Sequence, residues 1–169
     1  MEEFRFLNPK KMKHPKNGMT LEYLDKQSAI AALLVSSDGK KGYFVTQFRP
    51  GINGEMVEVV AGLIDPGEVP IETLYREVSE EAGYNREDYD ILYEEENPLA
   101  ISPGYTAEKL SLYILKLKND NISQKELHLD EGEDLTGKWY NLDEILKISH
   151  DFKTHFLVRM YELITLKNI

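Results

Sequence analysis

The clearest feature of the chain is an unbroken apolar run. Residues 29–35 (AIAALLV) carry no polar side chain, and Ala29–Ser36 reads as a strand buried on both faces. Leu21–Tyr23 reads as a shorter strand before it. Ser37-Asp38-Gly39-Lys40 has hairpin-turn chemistry, so Gly42–Phe48 is predicted as the returning strand. Pro50-Gly51 and Asn53-Gly54 mark a loop. Met56–Val60 is a short valine-rich run that Ala61-Gly62 interrupts, and Asp65-Pro66-Gly67 makes a further turn. Pro70 suits the first turn of a helix running to about Ala82, with Gly83 as its stop. On that helix Ile71, Leu74 and Val78 form an apolar stripe. Asp90–Tyr93, Lys109–Leu117 and Gly137–Tyr140 read as strands. Leu142–Ile148 and Phe152–Leu166 read as helices, the second with Phe152, Phe156, Arg159 and Leu163 on one side. Helices set among hairpin-linked strands predict an α+β or sandwich-type mixed fold, not a doubly wound one.

Length and composition narrow the class. A chain of 169 residues, 41% of them hydrophobic, predicts one globular domain over 1–169 whose core needs no staples. Residues 1–27 form a short extension before the first core strand, in which Phe4, Arg5 and Phe6 read as a remnant strand. The absence of Cys excludes disulfides, thiolate metal sites and a cysteine nucleophile. The run at 29–35 is far short of the roughly 18 residues a membrane span needs. The N-terminus shows no signal peptide, so a cytoplasmic protein without membrane association is expected.

Charge changes the picture more. The net charge is −10, and it is unevenly spread: residues 1–54 carry +4, residues 55–96 carry −12 and residues 97–169 carry −2. An acidic chain with no basic tract is a poor nucleic-acid binder. Concentrated carboxylates attract hard cations, which let an anionic substrate dock. Within the acidic stretch, Glu77, Glu80 and Glu81 are spaced to share one helical face. Three like charges there weaken a bare helix unless a cation offsets them, and carboxylate oxygens suit Mg²⁺ or Mn²⁺. The small residues Ala61-Gly62 leave a backbone carbonyl free to join such a cation.

The stretch from Gly62 to Tyr84 resembles the signature of the Nudix hydrolases, G-x5-E-x7-R-E-U-x-E-E-x-G-U, where U is a large aliphatic residue. Gly62, Glu68, Arg76, Glu77, Val78, Glu80, Glu81 and Gly83 match, and Tyr84 stands at a packing position where the family prefers an aliphatic residue. The resemblance implies a mixed β-sheet sandwiched between helices (α/β/α), with this box as a loop–helix–loop. It implies Mg²⁺-dependent hydrolysis of a nucleoside diphosphate linked to another moiety. Under it Glu77 and Glu81 are the principal metal ligands, Glu80 is a further ligand or base, and the Ala61 carbonyl is an extra ligand. Arg76 would orient the glutamates, through Glu68, and Glu68 itself is either structural or catalytic.

Flanking segments are similar to the ADP-ribose and nucleotide-sugar pyrophosphatase branch. Gln47-Phe48-Arg49 resembles its Q-x-R, and Glu58-Val59-Val60-Ala61-Gly62 its E-x-P-A-G, with Val60 in place of proline. Residues 102–108 (SPGYTAE) resemble its S-P-G-x-S/T-x-E, and Asp130-Glu131-Gly132-Glu133-Asp134-Leu135 its acidic loop. This implies substrate contacts from Arg49, Glu58, Ser102, Gly104 and Glu108, with Glu131 as a mobile base and Glu133 as a metal ligand. Tyr105 either stacks on a base or packs. In this branch the N-terminal segment commonly builds a small sheet shared between subunits, which implies a homodimer. The expected reaction is ADP-ribose to AMP plus ribose 5-phosphate. A nucleoside triphosphate or dinucleotide pyrophosphohydrolase stays open, as does a Nudix-like ligand sensor without turnover.

Overall fold

The computed structural model describes residues 7–119, 121–129 and 134–167. Its centre is β3 (Ala29–Val35), in which every residue is buried. Alternation along a strand sends successive side chains to opposite faces, and β3 divides its residues that way. Ile30, Ala32 and Leu34 join one core cluster with Leu74, Val78 and Ala82 of α1 (Pro70–Ala82). Ala29, Ala31, Leu33 and Val35 join another with Leu142 and Ile145 of α2 (Leu142–Ile148) and with Leu157, Val158 and Tyr161 of α3 (Phe152–Lys167). The sheet is therefore packed between α1 on one face and α2 with α3 on the other, as the α/β/α expectation holds.

Around β3 the sheet runs β10-β4-β3-β9-β7, with β4 at Lys41–Arg49, β7 at Tyr89–Glu94, β9 at Lys109–Leu117 and β10 at Leu135–Asn141. β3 and β9 are parallel, whereas β4 is antiparallel to β3 and β10, and β7 to β9. This makes a mixed sheet in an α+β chain. The short β8 (Leu99–Ala100) pairs with β9. The expected strand Met56–Val60 is in fact two: β5 (Gly54–Glu58) pairs with β4, and β6 (Val60–Leu63) pairs with β3. Between them the Val59 N–H donates to Thr154 Oγ1 at 3.0 Å, which lets the chain change partners with that amide satisfied.

Ahead of the main sheet, β1 (Pro9–Lys13) and β2 (Thr20–Leu24) form a separate hairpin. Its end is tied to the turn at 102–108: Leu24 N–H donates to the Tyr105 carbonyl, and Ala107 N–H to the Leu24 carbonyl. β1 is absent from the sequence expectation, because PKKMK shows no alternation. Phe4, Arg5 and Phe6 lie outside the described residues. Of the side of α3 bearing Phe152, Phe156, Arg159 and Leu163, only Phe156 is half-buried against the core, and Phe152, Arg159 and Leu163 are exposed; Thr154, Leu157, Val158 and Tyr161 are buried. No helix among the described residues is long and apolar enough to cross a membrane.

Both ends of α1 are secured. Pro70 starts it, where its missing N–H costs nothing. At the other end Gly83 takes the left-handed conformation (φ 69°), and Gly83 and Tyr84 donate back to Ser79 and Val78 carbonyls. The Glu80 and Glu81 carbonyls lie beyond the reach of those local donors. His128 N–H donates to Glu80 O, and the Tyr43 hydroxyl to Glu81 O. The segment 121–129 is thus laid against the helix end. Lys125 N–H bonds the Gly83 carbonyl, and Gln124 Nε2 donates to the Tyr43 hydroxyl.

Candidate active site

The residues of the acidic stretch converge because β6 feeds through a turn into α1. Glu68 N–H donates to the Asp65 carbonyl to close that turn. Arg76, nearly two turns into the helix, then reaches back over it. Its Nε and Nη2 donate to the two oxygens of Glu68 at 3.2 and 3.1 Å, and Nη2 also to the Leu63 carbonyl. Its Nη1 donates to Glu77 at 2.7 Å and to Glu80 at 3.1 Å. One guanidinium therefore ties three carboxylates and the loop together. Hydrogen bonds from Arg76, then from the Thr73 hydroxyl, hold the Glu68 carboxyl down at about 2. The same bonds, that to Glu68 foremost, push the Arg76 guanidinium up.

Glu77 and Glu81 are 7% and 2% exposed. Glu81 accepts the Ala61 N–H at 3.2 Å, and Glu77 lies directly against Gly62. A Cβ on Gly62 would fall 1.8 Å from a Glu77 oxygen, so only glycine leaves room for that carboxylate. Both glutamates, with Ala61, Gly62 and Arg76, line a cavity of about 660 Å³. Glu80 is half-buried on Arg76 and does not line it.

The same cavity is lined by a second charged chain. Arg49 Nε donates to Glu58 Oε2 at 2.7 Å, and Lys153 Nζ to Glu58 Oε1 at 2.9 Å and to Asp151 Oδ1 at 2.7 Å. Asp151 Oδ2 accepts both the N–H and the hydroxyl of Thr154, an N-cap arrangement at the start of α3. Further round the rim, Lys26 Nζ donates to both oxygens of Glu108 at 2.8 and 2.9 Å. The cavity is thus lined by six carboxylates (Glu58, Asp65, Glu77, Glu81, Glu108, Asp151) and four cations (Lys26, Arg49, Arg76, Lys153).

Of the residues singled out from sequence, Arg49, Glu58, Ala61, Arg76, Glu77, Glu81 and Glu108 share this cavity. Ser102 and Gly104 do not line it; they belong to the turn whose Ser102 carbonyl accepts the Tyr105 and Thr106 N–H groups. Glu131 and Glu133 lie outside the described residues. Sequence reasoning missed Lys26, Asp151, Phe152 and Lys153. Asp151-Phe152-Lys153-Thr154 does carry the aspartate that favours a helix start, a signal that finds Asp151 but says nothing of Lys153.

A family model described as the NUDIX domain matches residues 25–160. The chain belongs to the Nudix family. Among curated relatives it is 33% identical over 156 residues to a methanol dehydrogenase activator of Bacillus methanolicus, covering 87% of this chain and 80% of that one. It is 27% identical over 147 residues to an ADP-ribose pyrophosphatase of Bacillus subtilis, covering 84% of this chain and 76% of that one. A third relative, an RNA pyrophosphohydrolase of Pseudoalteromonas translucida, is 28% identical over 105 residues, 53% of this chain and 61% of that one. Nudix hydrolases act on nucleotide substrates and generally use divalent metal ions.

The Nudix box has the chemistry for such an ion. Its donors are all hard oxygens, and the space at Gly62 holds a buried carboxylate beside a second one on Glu81. Among the described residues no three His, Asp or Glu side chains are gathered as a ready metal cage; Glu77 and Glu80 are instead bonded to Arg76.

Proposed function

We propose that this Nudix hydrolase cleaves the pyrophosphate bond of a nucleoside diphosphate joined to another moiety, with ADP-ribose, giving AMP and ribose 5-phosphate, as the first substrate. The observation that carries this reading is one cavity lined both by the box glutamates Glu77 and Glu81 and by Arg49. The Bacillus subtilis relative supports the choice of substrate.

Glu77 and Glu81, with Glu80 and the Ala61 carbonyl, would hold Mg²⁺, or Mn²⁺ in its place. Held there, such an ion would supply Lewis-acid chemistry, namely charge neutralisation at the pyrophosphate oxygens and a lowered pKa for bound water. Arg76 keeps the glutamates in register from outside the reacting atoms, through its bonds to Glu68, Glu77 and Glu80. Arg49 offers a planar fork to the diphosphate, Glu58 orients it, and Glu108 meets the ribose. Ser102 and Gly104 belong to the substrate loop beside Glu108. The proton lost by the attacking water needs a carboxylate acceptor, and Glu131 takes that role with Glu133 as a further metal ligand. Two copies pair through the N-terminal hairpin, whose Met12 and Leu21 stand side by side and exposed; light scattering tests this.

Product analysis on ADP-ribose, nucleoside triphosphates and dinucleotides with Mg²⁺ tests the reading. AMP plus ribose 5-phosphate supports it. A nucleoside monophosphate plus pyrophosphate selects the triphosphate alternative. Binding without products refutes hydrolysis.

A further inference from the structure

Lys153 is a cation of this cavity for which the motifs give no reason. Its side chain is only 16% exposed, held between two buried carboxylates, Glu58 and Asp151. Asp151 is itself fixed, since its other oxygen caps α3. Glu58 therefore has each oxygen taken by a different cation: Oε1 by Lys153 and Oε2 by Arg49.

The division of Glu58 matters because an arginine facing a free carboxylate prefers to close on it with two parallel hydrogen bonds. With Oε1 already occupied, Arg49 bonds through Nε alone. Its two Nη groups have no protein hydrogen bond among the described residues, and Arg49 lines the cavity. Those groups are the part of the fork that matches phosphate oxygens.

We propose that Lys153 is a positioning residue for Arg49. By occupying the far oxygen of Glu58 it keeps the Arg49–Glu58 pair single-bonded, which leaves the guanidinium fork for the diphosphate of a bound nucleotide. The inference rests on the reading of this cavity as a nucleoside-diphosphate site. It ties the start of α3, 95 residues along the chain from Glu58, to substrate affinity in this cavity.

The test is calorimetric binding of ADP with Mg²⁺ to the full chain. Lys153→Met is expected to weaken ADP binding roughly tenfold, the scale of one charge-assisted hydrogen bond, and by the same factor as Arg49→Ala. Arg49→Ala/Lys153→Met should bind no more weakly than Arg49→Ala, and Lys153→Arg should restore most of the loss. Multiplying losses in the double variant, or unchanged binding in a folded Lys153→Met, would overturn the proposal. If Lys153→Met fails to fold because Glu58 and Asp151 are left facing each other, Glu58→Gln/Lys153→Met removes that repulsion. It should then bind ADP as Glu58→Gln does; further weakening would refute a role exerted through Glu58. Coupling between Lys153 and Arg49 in a chain that leaves ADP-ribose intact would refute the substrate and keep the positioning role.

Discussion

Gly62 and Glu77 occupy one another's space: the Cβ that any other residue would bring to position 62 lies 1.8 Å from a Glu77 carboxylate oxygen. The contact spans the loop and the helix of the Nudix box, so it sets where Glu77 can lie. Gly62→Ala should lower stability by about 1–3 kcal/mol, as overpacking does, and reduce turnover at least tenfold. Melting curves of Gly62→Ala and of Gly62→Ala/Glu77→Ala check the cause. The double variant should regain the melting temperature, since the clash goes with the carboxylate; if it does not, the loop backbone and not Glu77 is what the methyl group strikes.

Glu81→Gln keeps the shape of a side chain that is almost wholly buried and still offers an oxygen to the Ala61 N–H. It removes one charge from the proposed metal site. Turnover should fall about a hundredfold or more with the circular dichroism spectrum unchanged, the scale of losing transition-state charge stabilisation. Mn²⁺ binding should weaken in parallel. Near-normal activity at saturating Mg²⁺ would remove Glu81 from the site.

Arg49→Ala leaves Lys153 bonded to both Glu58 and Asp151, so that charged chain keeps two of its three ion pairs. The Michaelis constant for ADP-ribose should rise about tenfold or more, while the melting temperature moves by only a few degrees. A large drop in melting temperature with equal activity loss on every nucleotide would make Arg49 structural.

Acid should loosen the box through Glu68. Its carboxyl sits at about 2, below its ordinary value of 4.5, because Arg76 and then Thr73 bond the charged form. A carboxyl lowered in the folded state contributes stability that is complete above pH 4.5 and is lost as pH falls from there toward 2. Glu68→Gln should flatten that part of the melting temperature against pH profile. An unchanged slope would mean that other carboxylates set the acid limit.

The helix of the box and its stops were legible because their signals are local: Pro70, the stripe Ile71-Leu74-Val78 and Gly83 all lie within fourteen residues. The split of 54–63 into β5 and β6 was not legible, because one continuous run pairs with two different strands and its break is satisfied by Thr154. Thr154 also explains the face of α3. A pattern of large side chains puts Phe152 and Phe156 on one side, whereas the structure buries a threonine whose hydroxyl has a partner. Arg49 and Glu58 were each picked out as substrate residues, but their bond to one another is not a register pair, since Glu58 stands opposite Val45 and Arg49 opposite Gly54, and the third member, Lys153, comes from a helix far along the chain.

The segment 121–129 contains neither helix nor strand, yet it supplies donors to the last turn of α1 through Lys125 and His128. Its Ile122 and Leu129 pack into the same core as that helix. In folding terms it belongs to the cooperative unit of the helix and not to the surface. The amides of Lys125 and His128 should therefore exchange with solvent as slowly as helical ones. Shortening this connection, which looks expendable from its lack of regular structure, would release the Glu80 carbonyl and fray the turn that carries the box glutamates Glu80 and Glu81.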